Sequence, residues 1–226
     1  MNIKHIFFDL DHTLWDFETN SDIAFKAIFE KHKVPVNLDK FLNYYRSINQ
    51  EYWKLYREEK ITKSDLRIGR LKDTFAKINI PVTEKLLDDL SVDYIEVLPN
   101  NNELFEGAIE ILEYLSPKYN LHIITNGFNE VQYKKLENSG LSNYFNQIIT
   151  SEDAGVKKPN PIIFNFALNK ASASSKESIM IGDNYEADVM GAINNGIDAI
   201  YFNIKKEPVS NTIKSINSLL QIKSYL

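Results

Sequence analysis

The first apolar run of the chain, Ile6-Phe7-Phe8, is short and β-prone, and it is cut off by the polar cluster Asp9-Leu10-Asp11-His12-Thr13. Buried parallel strands have this form, with continuous apolar residues that stop where the chain emerges at the carboxyl edge of a sheet. Three later runs repeat it. Leu121 to Ile124 stops at Thr125-Asn126-Gly127, Gln147 to Ile149 leads into Thr150-Ser151-Glu152-Asp153, and Ser178 to Ile181 stops at Gly182-Asp183-Asn184. Each is followed by a segment with helical spacing. Ala199 to Phe202 supplies a fifth run, ahead of a final helix predicted near Asn211 to Ile222. This alternation predicts an α/β fold with a doubly wound parallel sheet.

Between Asp16 and about Asn100 the spacing changes to long helical segments rich in Tyr, Phe, Leu and paired charges, with no strand pattern among them. Helices are predicted from about Ser21 to Lys31, Leu38 to Glu58, Thr62 to Ile78 and Thr83 to Val97, with Pro35, Pro81 and Pro99 between them. The pattern predicts a helical cap, residues 16–99, inserted into an α/β core made of residues 1–15 and 100–226.

The 226 residues suffice for one buried α/β core with a large insertion. The absence of cysteine removes disulfides and thiolate metal sites and suits a cytoplasmic protein. The start of the chain is too briefly apolar for a signal peptide or a membrane span. A net charge of -5 disfavours a nucleic-acid polymer as partner. Oligomeric state is not legible. The four histidines lack ligand spacing, so no zinc site is indicated. Gly-rich phosphate loops of ATPases and dinucleotide enzymes are absent.

Ligands of open parallel sheets bind outside the carboxyl ends of the strands, so the residues that follow each run are the candidates for chemistry. Asp9 and Asp11 place two carboxylates where one can attack a phosphate while the other transfers protons. Thr125, Asn126 and Gly127 offer a hydroxyl, an amide and a flexible backbone to phosphoryl oxygens. Lys157 and Lys158 bring cations that could neutralise charge on a transferring group. Asp183 and Asp188 could hold a hard cation opposite Asp9, magnesium being the obvious candidate because it takes oxygen ligands. Residues five apart on one helix diverge by roughly 140°, so these two converge only if Asp183 precedes the helix. Taken singly, each motif also has a plain reading as turn, helix cap or surface charge.

Together and in this order, the four motifs resemble those of haloacid-dehalogenase-like phosphatases across both core segments. The resemblance implies that Asp9 is the nucleophile, Asp11 the acid/base, Thr125 and Asn126 phosphate-binding residues and Lys158, rather than Lys157, the charge stabiliser. It implies a Mg2+ site formed by Asp9, the backbone carbonyl of Asp11 and Asp183, with Asp188 supporting the metal or Lys158. Asp11 argues against carbon–halogen hydrolysis, because the dehalogenases lack an acid/base there. A closer resemblance is to pyrimidine 5'-nucleotidases with a helical cap, carried by Asp11-His12-Thr13-Leu14-Trp15-Asp16-Phe17, Ile123 to Phe128, Ser151 to Asn160 and the character of Asn49 to Arg70. It implies a nucleoside 5'-monophosphate substrate. Sugar-phosphate phosphatases and phosphomutases share the core motifs, and a catalytically silent phosphoryl-binding protein would keep them as well. In the cap, Trp53 and the tyrosines at 44, 45, 52 and 56 could stack a base, and Arg67 or Arg70 could meet a phosphate, although aromatics at helical spacing also pack bundles.

Overall fold

A computed structural model of the protein describes residues 2–226. It contains two compact units, the chain up to Phe17 together with Asn102–Leu226, and Glu18–Asn101. The first unit is built on six strands, β1 (His5–Phe8), β2 (Asn120–Thr125), β3 (Gln147–Thr150), β4 (Ser178–Gly182), β5 (Asp198–Phe202) and β6 (Lys214–Ile216). They lie in the order β3-β2-β1-β4-β5-β6 and every pairing is parallel. The chain leaves β1 toward β2 and β3, then returns to its other side at β4. This change of direction is the topological switch where α/β sheets bind ligands.

The second unit holds four helices, α1 (Phe17–Lys31), α2 (Leu38–Arg57), α3 (Lys63–Lys77) and α4 (Glu84–Val97). Local chemistry sets their starts: Asn37 and Thr83 accept from backbone N–H groups of α2 and α4, and Thr62 with Asp65 closes a reciprocal box on α3. An aromatic interior holds them together. Phe25 packs against the rings of Phe29, Phe41, Tyr45 and Tyr94 at 4.5 to 5.5 Å. No helix among the described residues is long and apolar enough to cross a membrane.

The sheet unit adds α5 (Ala108–Leu115), α6 (Asn129–Asn138), α7 (Ser151–Ala154), α8 (Pro161–Lys170) and α9 (Gly191–Asn194), with a π-helical turn at Tyr185–Met190. Phe7, Ile124, Ile149, Met180 and Ala199 project from five neighbouring strands into one core with Ile163 and Phe164 of α8. The expected final helix is corrected. Its place is taken by β6 and a 3-10 turn, Leu219–Ser224. Ile213, Ile216, Leu219 and Ile222 repeat every third residue and mimic a helix, but the segment is broken by Asn and Ser, and its β-branched residues instead extend the sheet beside β5.

Candidate active site

Asp9 follows β1 directly, and its N–H donates to Ile181 O at 2.9 Å, so the strand ladder itself fixes the start of the motif. Beyond it the chain wraps around one carbonyl. The N–H groups of Leu14 and Trp15 both donate to Leu10 O, at 3.0 and 2.9 Å, and His12 takes a left-handed φ of 63°. Within this turn the two carboxylates diverge, Asp9 toward Lys158 and Asp11 toward α6.

Lys158 is 2% exposed and reaches three acceptors: Asp9 Oδ1 at 2.6 Å, Asp188 Oδ1 at 2.7 Å and Ile124 O at 2.6 Å. Burial works against its charge, but Asp188 and Asp9 outweigh burial and raise its pKa above the ordinary value. Asn126 secures the backbone of Lys158, accepting from its N–H at 2.7 Å and donating to its carbonyl at 3.0 Å. The side chain expected to bind phosphate thus also holds the lysine in place. Asp183 lies in the loop ahead of the π-helical turn, with Thr13 donating to it at 3.4 Å, and Asp188 lies within the turn. Asp188 comes so close to the strand end that a Cβ on Gly182 would sit 2.3 Å from its Oδ2, and only glycine fits there.

Asp9, Asp183 and Asp188 each place a carboxylate oxygen within 4.8 Å of the others. Desolvation, opposed by Lys158 and reinforced by Asp188 and Asp11, pushes Asp9 from 3.8 up to about 7, and desolvation with Asp9 and Asp188 drives Asp183 well upward. Such a cluster is short of positive charge, and its all-oxygen donor set fits a hard divalent cation. Both oxygens of Asp188 are already engaged, by Lys158 and by the N–H of Asn184, which leaves Asp9 and Asp183 as the better ligands. The sign of the linkage is testable. A raised carboxyl costs no folding stability below its unfolded pKa and costs the most above its folded one. The gain in Tm from added Mg2+ should therefore grow between about pH 5 and about pH 8, as the proton competing for Asp9 leaves. Scanning calorimetry with Mg2+ and with chelator checks this, and Asp183→Asn should flatten the difference.

Asp11, 22% exposed at its side chain, is gripped at both oxygens by α6. Lys135 Nζ meets Oδ1 at 2.5 Å and Gln132 Nε2 donates to Oδ2 at 2.9 Å. Gln132 also donates to Thr125 Oγ1 at 2.8 Å, and Gly127 N–H donates to the same oxygen at 3.0 Å. With its oxygen accepting twice, the Thr125 hydroxyl is left to act as a donor.

A family model for haloacid dehalogenase-like hydrolases matches residues 6–202. The chain belongs to this family. Among the hydrolase's relatives are pyrimidine 5'-nucleotidase PynA of Streptococcus pneumoniae, 34% identical over 90% of this chain and 85% of that protein, and pyrimidine 5'-nucleotidase YjjG of Escherichia coli, 30% identical over 96% of each. Glyceraldehyde 3-phosphate phosphatases are relatives too. The structure of HAD-hydrolase YfnB from Bacillus subtilis, described as bound to magnesium, matches with a TM-score of 0.90 at 27% identity, over 100% of this chain and 99% of that one.

In the hydrolase, then, Asp9, Asp183, Asp188 and Lys158 form one cluster, while Asp11, Thr125, Gln132 and Lys135 form a second joined to it through Asp9-Leu10-Asp11. The motif reading missed Thr13, Gln132 and Lys135. The cap candidates belong to the helical unit. Arg67 Nη2 donates to Ser91 O at 3.4 Å and Trp53 packs edge-on to Tyr56. Arg70 is corrected: it is 3% exposed, donates to Asn49 at 2.8 Å and lies 5.1 Å from the centre of the Tyr94 ring, so its guanidinium serves the interior of the unit. Tyr45 is buried in the same interior and packs with Phe25 and Phe41.

Proposed function

We propose that the protein is a phosphatase that hydrolyses phosphate monoesters by nucleophilic attack of Asp9, with pyrimidine nucleoside 5'-monophosphates as substrates. The observation that carries the reading is the convergence on the sheet's switch point of Asp9, the buried Lys158 and Asp183, with a second carboxylate, Asp11, two residues beyond the nucleophile. A carbon–halogen hydrolase has no use for that second carboxylate. A phosphatase needs it twice.

Attack of Asp9 on phosphorus breaks the ester P–O bond, and Asp11 gives its proton to the departing oxygen. Asp11 then takes a proton from the water that attacks phosphorus, and the bond to Asp9 breaks to regenerate the carboxylate. Lys158 neutralises charge on the phosphoryl oxygens, and the Thr125 hydroxyl donates to one of them. Bound between Asp9 and Asp183, Mg2+ would add Lewis-acid charge stabilisation at the phosphoryl group. Both nucleotidase relatives and the stretches Ile123 to Phe128 and Ser151 to Asn160 favour the nucleotide.

The test is phosphate release from dUMP, UMP, dTMP, purine 5'-monophosphates and a set of sugar phosphates, with Mg2+ or chelator. The expected result is Mg2+-dependent hydrolysis with kcat/KM for the pyrimidine nucleotides about tenfold or more above the rest, the discrimination one or two pocket contacts supply. Preference for a sugar phosphate would keep the chemistry and overturn the substrate, and phosphosugar isomerisation with little phosphate release would show a mutase. No turnover on any ester would leave a phosphoryl-binding protein.

A further inference from the structure

We infer that Lys135 and Gln132 are positioning residues that hold the Asp11 carboxyl group in the direction required for proton transfer, an inference that rests on the phosphatase reading above. Neither residue lies in a catalytic motif. They stand three apart on α6 and so share one face of it, the face turned to Asp11. Each holds a different oxygen of the same carboxylate.

Three features separate this arrangement from an ordinary ion pair. Lys135 is only 2% exposed and its ammonium lies over the Trp15 ring at 4.2 Å, so a cation has been taken out of water to meet a carboxylate that is itself partly solvated. Asp11 could be satisfied by water, and a buried cation gains little net stability over an apolar side chain; what the lysine adds is direction. Gln132 is 0% exposed, and its amide turns its nitrogen to Asp11 and Thr125 together, the orientation that suits Asp11 in its ionised form. Its Oε1 has no partner among the described residues, so the orientation rests on the donor side alone, shared between Asp11 and Thr125. Finally, a Cβ on Gly127 would sit 2.4 Å from Gln132 Cδ, so the glycine after Thr125-Asn126 is what gives this amide room to pass.

Proton transfer needs the carboxyl oxygen within hydrogen-bond reach of the leaving oxygen and then of the water, and a freely rotating aspartate meets that condition only part of the time. Two fixed donors on one helix remove the rotation. Gln132 further ties the proton-transfer group to the phosphate-binding hydroxyl of Thr125, so the two keep one geometry.

The test compares phenyl phosphate with p-nitrophenyl phosphate, esters of nearly the same shape whose leaving groups differ in their need for a proton. With Mg2+ present, Lys135→Met and Gln132→Leu should each lose about tenfold more kcat/KM on phenyl phosphate than on p-nitrophenyl phosphate, a fraction of the acid's full contribution, with Asp11→Asn losing more. Lys135→Arg, which keeps a cation on the same helix, should recover much of the difference. Gln132→Leu leaves the ion pair in place and decides the matter should Lys135→Met fail to fold. Equal losses on the two esters would show a merely structural role, and no loss would show none; either overturns the inference. Should Asp11→Asn show the leaving-group effect while the α6 variants do not, the phosphatase reading stands and the inference alone fails. A wild-type protein inactive on both esters and on every nucleotide and sugar phosphate of the panel above would overturn the two together.

Discussion

Asp9→Asn is expected to lower kcat by on the order of 10⁴- to 10⁶-fold, the range in which loss of a nucleophile falls, while the protein stays folded. The amide cannot attack phosphorus, and no neighbouring group replaces it: Asp11 is turned to Lys135 and Gln132, and Asp188 to Lys158 and Asn184. Stability should move the other way from activity. Asp9 is pushed up to about 7 chiefly by burial, so its ionisation at neutral pH is a cost to the fold that asparagine does not carry. In chelator at about pH 8, where that cost is fully present, Tm of the variant should equal or exceed that of wild type. Parallel loss of activity and Tm would assign Asp9 a structural role instead.

Lys158→Met should produce the largest loss of stability at the site, about 3–5 kcal/mol by denaturant unfolding. The methionine fills the volume but withdraws the ammonium from Asp9, Asp188 and the Ile124 carbonyl at once, leaving two buried carboxylates and the half-buried Asp183 with no cation from the protein among them. Added Mg2+ should restore more stability to this variant than to wild type, since a cation then meets a larger unbalanced charge. Activity should not return with it, because the group that neutralises the phosphoryl oxygens is gone. Double replacement of Lys158 and Asp188 should unfold less readily than Lys158→Met alone, as expected when one partner of a buried pair no longer strands the other.

The strands and their terminal motifs were legible because burial and chemistry fall on neighbouring residues there. Ile6 to Phe8 are all fully buried, and Asp9 comes next. The helical insertion was legible for another reason, since Thr62 and Thr83 cap their helices through contacts three residues away in sequence. Tertiary roles were not legible. Val131-Gln132-Tyr133-Lys134-Lys135 reads as an ordinary polar helix, and nothing local separates Lys134, which is exposed, from Lys135, which is buried against Trp15 and Asp11. That Asn126 also fastens the backbone of Lys158 was hidden because that partner is 32 residues away. Arg70 looked available for a phosphate because the sequence does not show that its face of α3 turns inward onto Tyr45 and Tyr94. The spacing near the end of the chain suited a helix, and only the free edge of β5 made it a strand.

Covalent participation of Asp9 is tested most directly by acid-quenching the protein during turnover of a radiolabelled phosphate monoester and mapping the label. Label that is stable in acid, released by hydroxylamine and confined to the peptide containing Asp9 is the expected result, with more of it retained in Asp11→Asn on an activated ester, where the water has lost its base. Turnover that leaves no label on the protein, or label on any other residue, would contradict the mechanism.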